Sequence, residues 1–220
     1  MTGDLTAGPT LLIVAKAPVP GLAKTRIAET MGDEVAAQLA AAALLDSLDV
    51  ATAVGWPLVV AMTGDLAQAA RSDEIAAALL ETNVIEQRGD GLAERLANAH
   101  GDADQGQGVM QVGMDTPQMT VEDLLRAGRL VAEGTRTIGP AEDGGWWLLG
   151  LPNPTDARAL VDVPMSHPDT CTLTEQALGG ELVRVRVLRD MDTWEDAVAI
   201  AREVPISRSA AVVDRTEVPT

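Results

Sequence analysis

The chain holds two lysines in 220 residues, Lys16 and Lys24, and both lie in one stretch, KAPVPGLAKTR, residues 16–26. The formal net charge is −17, yet no Asp or Glu occurs from Leu5 to Ala28, and Arg26 adds a third base to this window. Lysine acts on phosphate as a point charge and arginine as a bidentate fork. Pro18 and Pro20 stiffen the stretch, while Gly21 permits a close backbone approach or a positive φ. A general preference for arginine explains why lysine is scarce, but not why both survivors sit eight residues apart. The window therefore reads as a local phosphate site, with a solvated basic turn as the plain alternative. It is not a P-loop, because GxxxxGK[ST] would need glycines where Pro18 and Ala23 stand.

Four further stretches carry residues suited to the same chemistry. VMQVGMDTP places Asp115 just past an apolar run, where a carboxylate can hold a hard cation such as Mg²⁺ or cap the turn before Pro117. GPAEDGGWWLLGL gives a second acidic tip, Glu142-Asp143, followed by Gly144 and Gly145, which would let a ligand or another chain segment pass close to the backbone. QRGDGLAERL offers a tight turn at Gly89 and Gly91, Asp90 to contact a base or ribose or to cap a helix, and Arg95 one turn further on. RDMDTWED sets Asp190 and Asp192 before a helix, with Asp192 expected as its N-cap. Ser166 and His167, in PMSHPDTC, lack a nucleophile elbow and read as a substrate-facing loop or a simple turn.

Elements that could position these residues alternate along the chain. LLIVA, PLVVAM, TNVIEQ, GVMQVG, TRTIG, GWWLLGL and LVRVRVL read as strands, and the segments between them have helical composition, from DEVAAQLAAAALLDSLDVA to WEDAVAIARE. LAQAARSDEIAAALL is expected as a single helix. Such alternation predicts one α/β domain over residues 1–204, a mostly parallel sheet with helices on both faces. Residues 205–220 show no clear periodicity and are expected to form a flexible tail. In open parallel sheets ligands collect at the carboxyl ends of strands, and each motif above falls at such an end.

Composition narrows the partners. The acidic surface argues against nucleic acid. Cys171 is the only cysteine, and His100 and His167 are the only histidines, so a Cys/His zinc site is excluded. The start, MTGDLTAGPT, has no basic n-region and the following apolar run is too short for a span, which predicts a cytoplasmic protein without a membrane segment.

Taken in order, LLIVAKAPVPGLAKTRI, QRGDGLAERL, VGMDTP, IGPAEDGGWWLLGL and DMDTWEDA resemble the GT-A-like transferases associated with radical-SAM selenodomain proteins, within the nucleotide-diphospho-sugar transferase superfamily. The resemblance spans about residues 10 to 200. It implies a Rossmann-like GT-A sheet, nucleotide phosphates bound through Lys16, Lys24 and Arg26, and a divalent metal, Mg²⁺ or Mn²⁺, on Asp115 with Asp143 as second acid. Two departures stand out: GMDTP has one carboxylate where a DxD pair is common, and Met165-Ser166 stands where a Trp-Ser pair is expected. Three functions remain open at this point: a glycosyltransferase moving a group from a nucleotide sugar to a small-molecule acceptor, a nucleotidyltransferase releasing pyrophosphate, and a nucleotide-binding module without catalysis.

Overall fold

The computed structural model describes residues 8–217. The expectation drawn from the polar start of the chain falls mostly on residues outside this range. A seven-stranded sheet runs in the order β3-β2-β1-β4-β6-β5-β7. Its strands are β1 (Thr10–Lys16), β2 (Leu58–Thr63), β3 (Asn83–Glu86), β4 (Val109–Val112), β5 (Arg136–Pro140), β6 (Trp146–Leu151) and β7 (Leu182–Arg184). All neighbours pair parallel except β6, which is antiparallel to both β4 and β5. The hydrophobic runs explain the strands: Leu11, Leu12, Ile13, Val59, Val60, Val109 and Met110 are all fully buried, as strands covered on both faces require.

Among the described residues eight α-helices flank the sheet: α1 (Thr25–Met31), α2 (Asp33–Val54), α3 (Ser72–Leu79), α4 (Leu92–Ala103), α5 (Val121–Ala132), α6 (Thr170–Leu178), α7 (Trp194–Glu203) and α8 (Arg208–Arg215). One apolar cluster joins β1, β2 and β4 to α2, α3 and α5; a second packs α4 against β1, β2 and β4. The 22-residue α2 is apolar and long enough to cross a membrane, but its leucines and all but one of its alanines are buried in the protein. Small side chains let it lie close to its neighbours.

Three expectations are corrected. The single helix expected over LAQAARSDEIAAALL divides into a 3-10 turn, Leu66–Gln68, and α3, because Asp65 caps the turn and Arg71 adopts the left-handed region at φ 55°. The expected strand LVRVRVL pairs only over Leu182–Arg184, with an isolated bridge at Leu188. The expected flexible tail instead forms α8 within its described part. Its first two N–H groups, on Arg208 and Ser209, donate to buried Asp46 of α2 at 3.0 and 2.9 Å. A carboxylate at a helix N-terminus satisfies orphan donors and favours the helix dipole.

Candidate functional site

Between β1 and β4 the strand order reverses direction, since β2 and β3 lie to one side and the later strands to the other. Such a switch point opens a crevice at the carboxyl ends of the strands. Register shows how: Ile13 pairs with Val112, so β1 continues through Val14, Ala15 and Lys16 after β4 has ended. The chain beyond β4 turns away through Gly113 and Met114 to Asp115, and Lys16 N–H meets Met114 Sδ at 3.3 Å. A hydrogen bond from Met191 N–H to the Asp115 carbonyl, 3.0 Å, then ties this tip to the loop carrying Asp190 and Asp192.

The basic window closes one side. After β1 it turns through Gly21 at φ 77° and enters α1 at Lys24, which occupies the left-handed region at φ 49°. This conformation carries the Lys24 ammonium to Asp115 Oδ2 at 2.6 Å and to Asp192 Oδ1 at 3.3 Å. Burial alone would lower the Lys24 pKa, but the charges of Asp115 and Asp192 outweigh it and hold the amine above its ordinary value. Arg26 reaches Asp192 Oδ2 at 3.2 Å from an exposed position. Lys16 donates only to the Leu22 carbonyl, 2.8 Å, and stays exposed.

Thus Asp192 is not the expected helix cap. Thr193 caps α7 in a reciprocal capping box with Asp196, which frees Asp192 for the bases. Asp190, two residues earlier, is the acid most surrounded by others. Its carboxyl is pushed up to about 7 by burial and then by the charges of Asp115 and Asp143, with Lys24 offsetting part of this and Asp192 adding to it. No hydrogen bond donor offsets that penalty. Nothing in the sequence around Asp190 marks this environment, because its burial depends on the turn around buried Met191.

Asp115, Asp143, Asp190 and Asp192 line one cleft of about 430 Å³. Among the described residues no three acids, imidazoles or thiols stand close enough to form a ready-made metal cage. The donor set nevertheless suits a hard divalent cation: four carboxylates share this crevice, and two of them, Asp115 and Asp192, also line the adjoining cavity where the nearly enclosed Lys24 ammonium meets them. Asp143 engages Gly145 N–H through Oδ1 at 2.8 Å, leaving Oδ2 open.

The other expected residues divide. Arg95, Gly145, Ser166 and His167 line the cleft with Lys16. Arg95 is anchored by its Nε donating to the Gly89 carbonyl at 3.2 Å. Gly89 and Asp90 form a turn outside the cleft lining, closed by Glu94 accepting from Asp90 N–H. Pro18 is buried and its carbonyl accepts from Ala70 N–H, so it braces the loop from behind. Gly144 does not make room for a ligand: a Cβ there would lie 1.8 Å from the Pro168 carbonyl oxygen, so the neighbouring chain fills that space. His167 Nδ1 accepts from Asp169 N–H at 3.2 Å, so the neutral ring carries its proton on Nε2. Leu92, Leu96, Trp146 and Met165 give the cleft an apolar wall. Trp146 is fixed there by its indole N–H on Thr174 Oγ1, 3.2 Å, while Trp147 turns into the core.

A doubly wound sheet with a basic loop and strand-end acids at its switch point is the arrangement of a nucleotide-diphospho-sugar transferase-like fold. The chain belongs to the family described as "Uncharacterized protein conserved in bacteria (DUF2064)", which matches residues 44–167. It is similar to the solved structure of a putative nucleotide-diphospho-sugar transferase from Desulfovibrio desulfuricans G20, at 25% identity, TM-score 0.81 and 93% coverage of each chain. It shares its fold with Rv0371c from Mycobacterium tuberculosis H37Rv in complex with manganese, at 19% identity and TM-score 0.56, covering 88% of this chain and 98% of that one. The 4-diphosphocytidyl-2C-methyl-D-erythritol synthase of Anaerococcus prevotii DSM 20548 has the same fold at 14% identity and TM-score 0.55, covering 89% and 95%. No curated protein matches the chain.

Proposed function

We propose that this protein is a metal-assisted transferase that takes a nucleotide-activated donor, a nucleotide sugar, and passes the activated group to a small-molecule acceptor. The observation that carries this reading is the meeting of Lys24 with Asp115 and Asp192 at the switch point, beside a cleft large enough for a small acceptor. The likeness to the Desulfovibrio transferase supports it. Lys16, Lys24 and Arg26 would hold the donor's diphosphate by charge-assisted hydrogen bonds. Asp115 and Asp192 would hold Mg²⁺ or Mn²⁺, and the manganese in the Rv0371c structure supports a divalent ion on this fold. When bound, the ion would neutralise charge developing on the leaving diphosphate. Asp143, through its open Oδ2, would complete that shell or take the acceptor's proton. The Trp146 wall, with His167 donating from Nε2, would seat the acceptor.

A second reading, nucleotidyl transfer, draws support from the fold shared with the 4-diphosphocytidyl-2C-methyl-D-erythritol synthase. The leaving group separates the two. Incubation with nucleotide sugars plus a panel of small hydroxyl-bearing acceptors, and with NTPs plus sugar phosphates, in Mn²⁺ should release nucleoside diphosphate from the former. Pyrophosphate release from NTPs alone would establish the second reading, and neither product across a full base panel would reject both.

A further inference from the structure

Among the described residues, Lys24 has an arrangement unlike that of any other base. Its side chain is 9% exposed, it touches two carboxylates from separate loops, and its backbone holds a φ that residues with a Cβ rarely adopt. Lys16, Met114, Asp115 and Asp192 line both the large cleft and a smaller adjoining cavity of about 270 Å³, whereas Lys24 lines only the smaller one. The ammonium and its two acids therefore stand where the two spaces meet. Those acid oxygens, Asp115 Oδ2 and Asp192 Oδ1, are also ones a divalent cation would need. An ammonium and a divalent ion cannot share them without strong like-charge repulsion.

Resting on the proposed metal and diphosphate site, we infer that Lys24 is an internal counter-cation that keeps divalent metal out until a diphosphate arrives. In the ligand-free protein Lys24 neutralises Asp115 and Asp192. An incoming diphosphate offers the ammonium richer anionic oxygens from the smaller cavity, where Lys16 and Arg26 also stand. Movement of the Lys24 side chain toward that ligand releases both carboxylates, and metal then enters with the diphosphate. Phosphate and metal binding are thereby coupled, and coupling of this kind is reciprocal.

The test is Mn²⁺ binding, read by the electron paramagnetic resonance of free Mn²⁺, with and without pyrophosphate at matched free metal. Wild-type protein should bind Mn²⁺ weakly alone and at least about tenfold more tightly with pyrophosphate, within the usual range of coupling between sites. Lys24→Met should bind Mn²⁺ alone about tenfold more tightly than wild type and lose most of the pyrophosphate dependence. Lys24→Gly, which suits φ 49° without strain, should behave alike and serves if the Met variant folds poorly. Lys16→Met removes the same charge from a lysine that touches no carboxylate, and should weaken pyrophosphate without tightening Mn²⁺. Equal Mn²⁺ affinity in wild type and both Lys24 variants, or equal tightening by Lys16→Met, would overturn the exchange while leaving the metal site standing. No Mn²⁺ binding to any of these proteins, even with pyrophosphate, would overturn both.

Discussion

Two aspartates at opposite regions of the molecule, Asp46 on α2 and Asp190 before α7, are both drawn out of water and meet opposite fates. Asp46, 8% exposed, accepts from the N–H groups of Arg208 and Ser209, from the Ser209 hydroxyl at 2.7 Å, and from the Arg208 guanidinium. Among the described residues Asp190 has no hydrogen-bond donor; three acids surround it, and Lys24 offsets them in part. The first pattern is structural, since burial of a charge is offset by donors that stay in place. The second leaves an acid whose penalty the Lys24 charge offsets only in part, the pattern expected where a ligand binds.

Breaking the satisfied acid should have the largest effect. Asp46→Ala leaves the Ser209 hydroxyl and two helix N–H groups without an acceptor, and should cost about 3 kcal/mol by urea unfolding while detaching α8. Loss below about 1 kcal/mol would show that water replaces the carboxylate and that α8 is held by its apolar contacts alone.

Next comes His100, which sharpens the comparison because it is a fully buried titratable group. Both ring nitrogens lack hydrogen bonds, and burial, only partly offset by nearby Gln111, lowers its pKa to about 4 from 6.5. The folded state therefore binds fewer protons than the unfolded state between these values. Its contribution is complete above pH 6.5 and is lost as pH falls from 6.5 toward 4, on the order of 3 kcal/mol in all. His100→Met should flatten that part of the stability-pH curve relative to wild type, and parallel curves would show that the ring is solvated or paired.

The unsatisfied acid should respond in the opposite direction and less strongly. Asp190 rises from 3.8 to about 7 on folding, so the folded state holds the extra proton and stability falls as pH rises across that interval. In EDTA, Asp190→Asn should stabilise the protein at pH 8 by on the order of 1 kcal/mol, after allowance for solvent screening, and hardly at all at pH 4. Destabilisation at pH 8 would mean that the carboxylate has an attractive partner.

The same contrast explains what could be read from the chain. Alternation of Val/Ile/Leu runs with Ala-rich segments showed the α/β class and most strands, because burial on both faces leaves a compositional mark. The direction of β6 left none: GWWLLGL is equally apolar whichever way it runs. The lysine pair and Asp115 stood out through charge against background and position after a strand. Asp190 and Asp46 did not, since both owe their character to residues distant in sequence, Asp115 and Asp143 in one case, Arg208 and Ser209 in the other. Thr193 was overlooked as a cap because Asp192 satisfies the same rule one position earlier, and only the pull of Lys24 and Arg26 distinguishes them.

If the acids at the switch point serve a metal-bound diphosphate, Asp115→Asn removes that role with the least change in shape. Thermal melting of wild type and variant should be compared with a panel of nucleoside diphosphates, each with and without Mn²⁺. Wild-type protein should gain a Mn²⁺-dependent rise in Tm with at least one nucleotide, and Asp115→Asn should lose that increment while its Tm without metal or nucleotide stays near wild type. A variant that keeps the full Mn²⁺ increment would contradict the assignment and reduce Asp115 to a residue that orders its own turn.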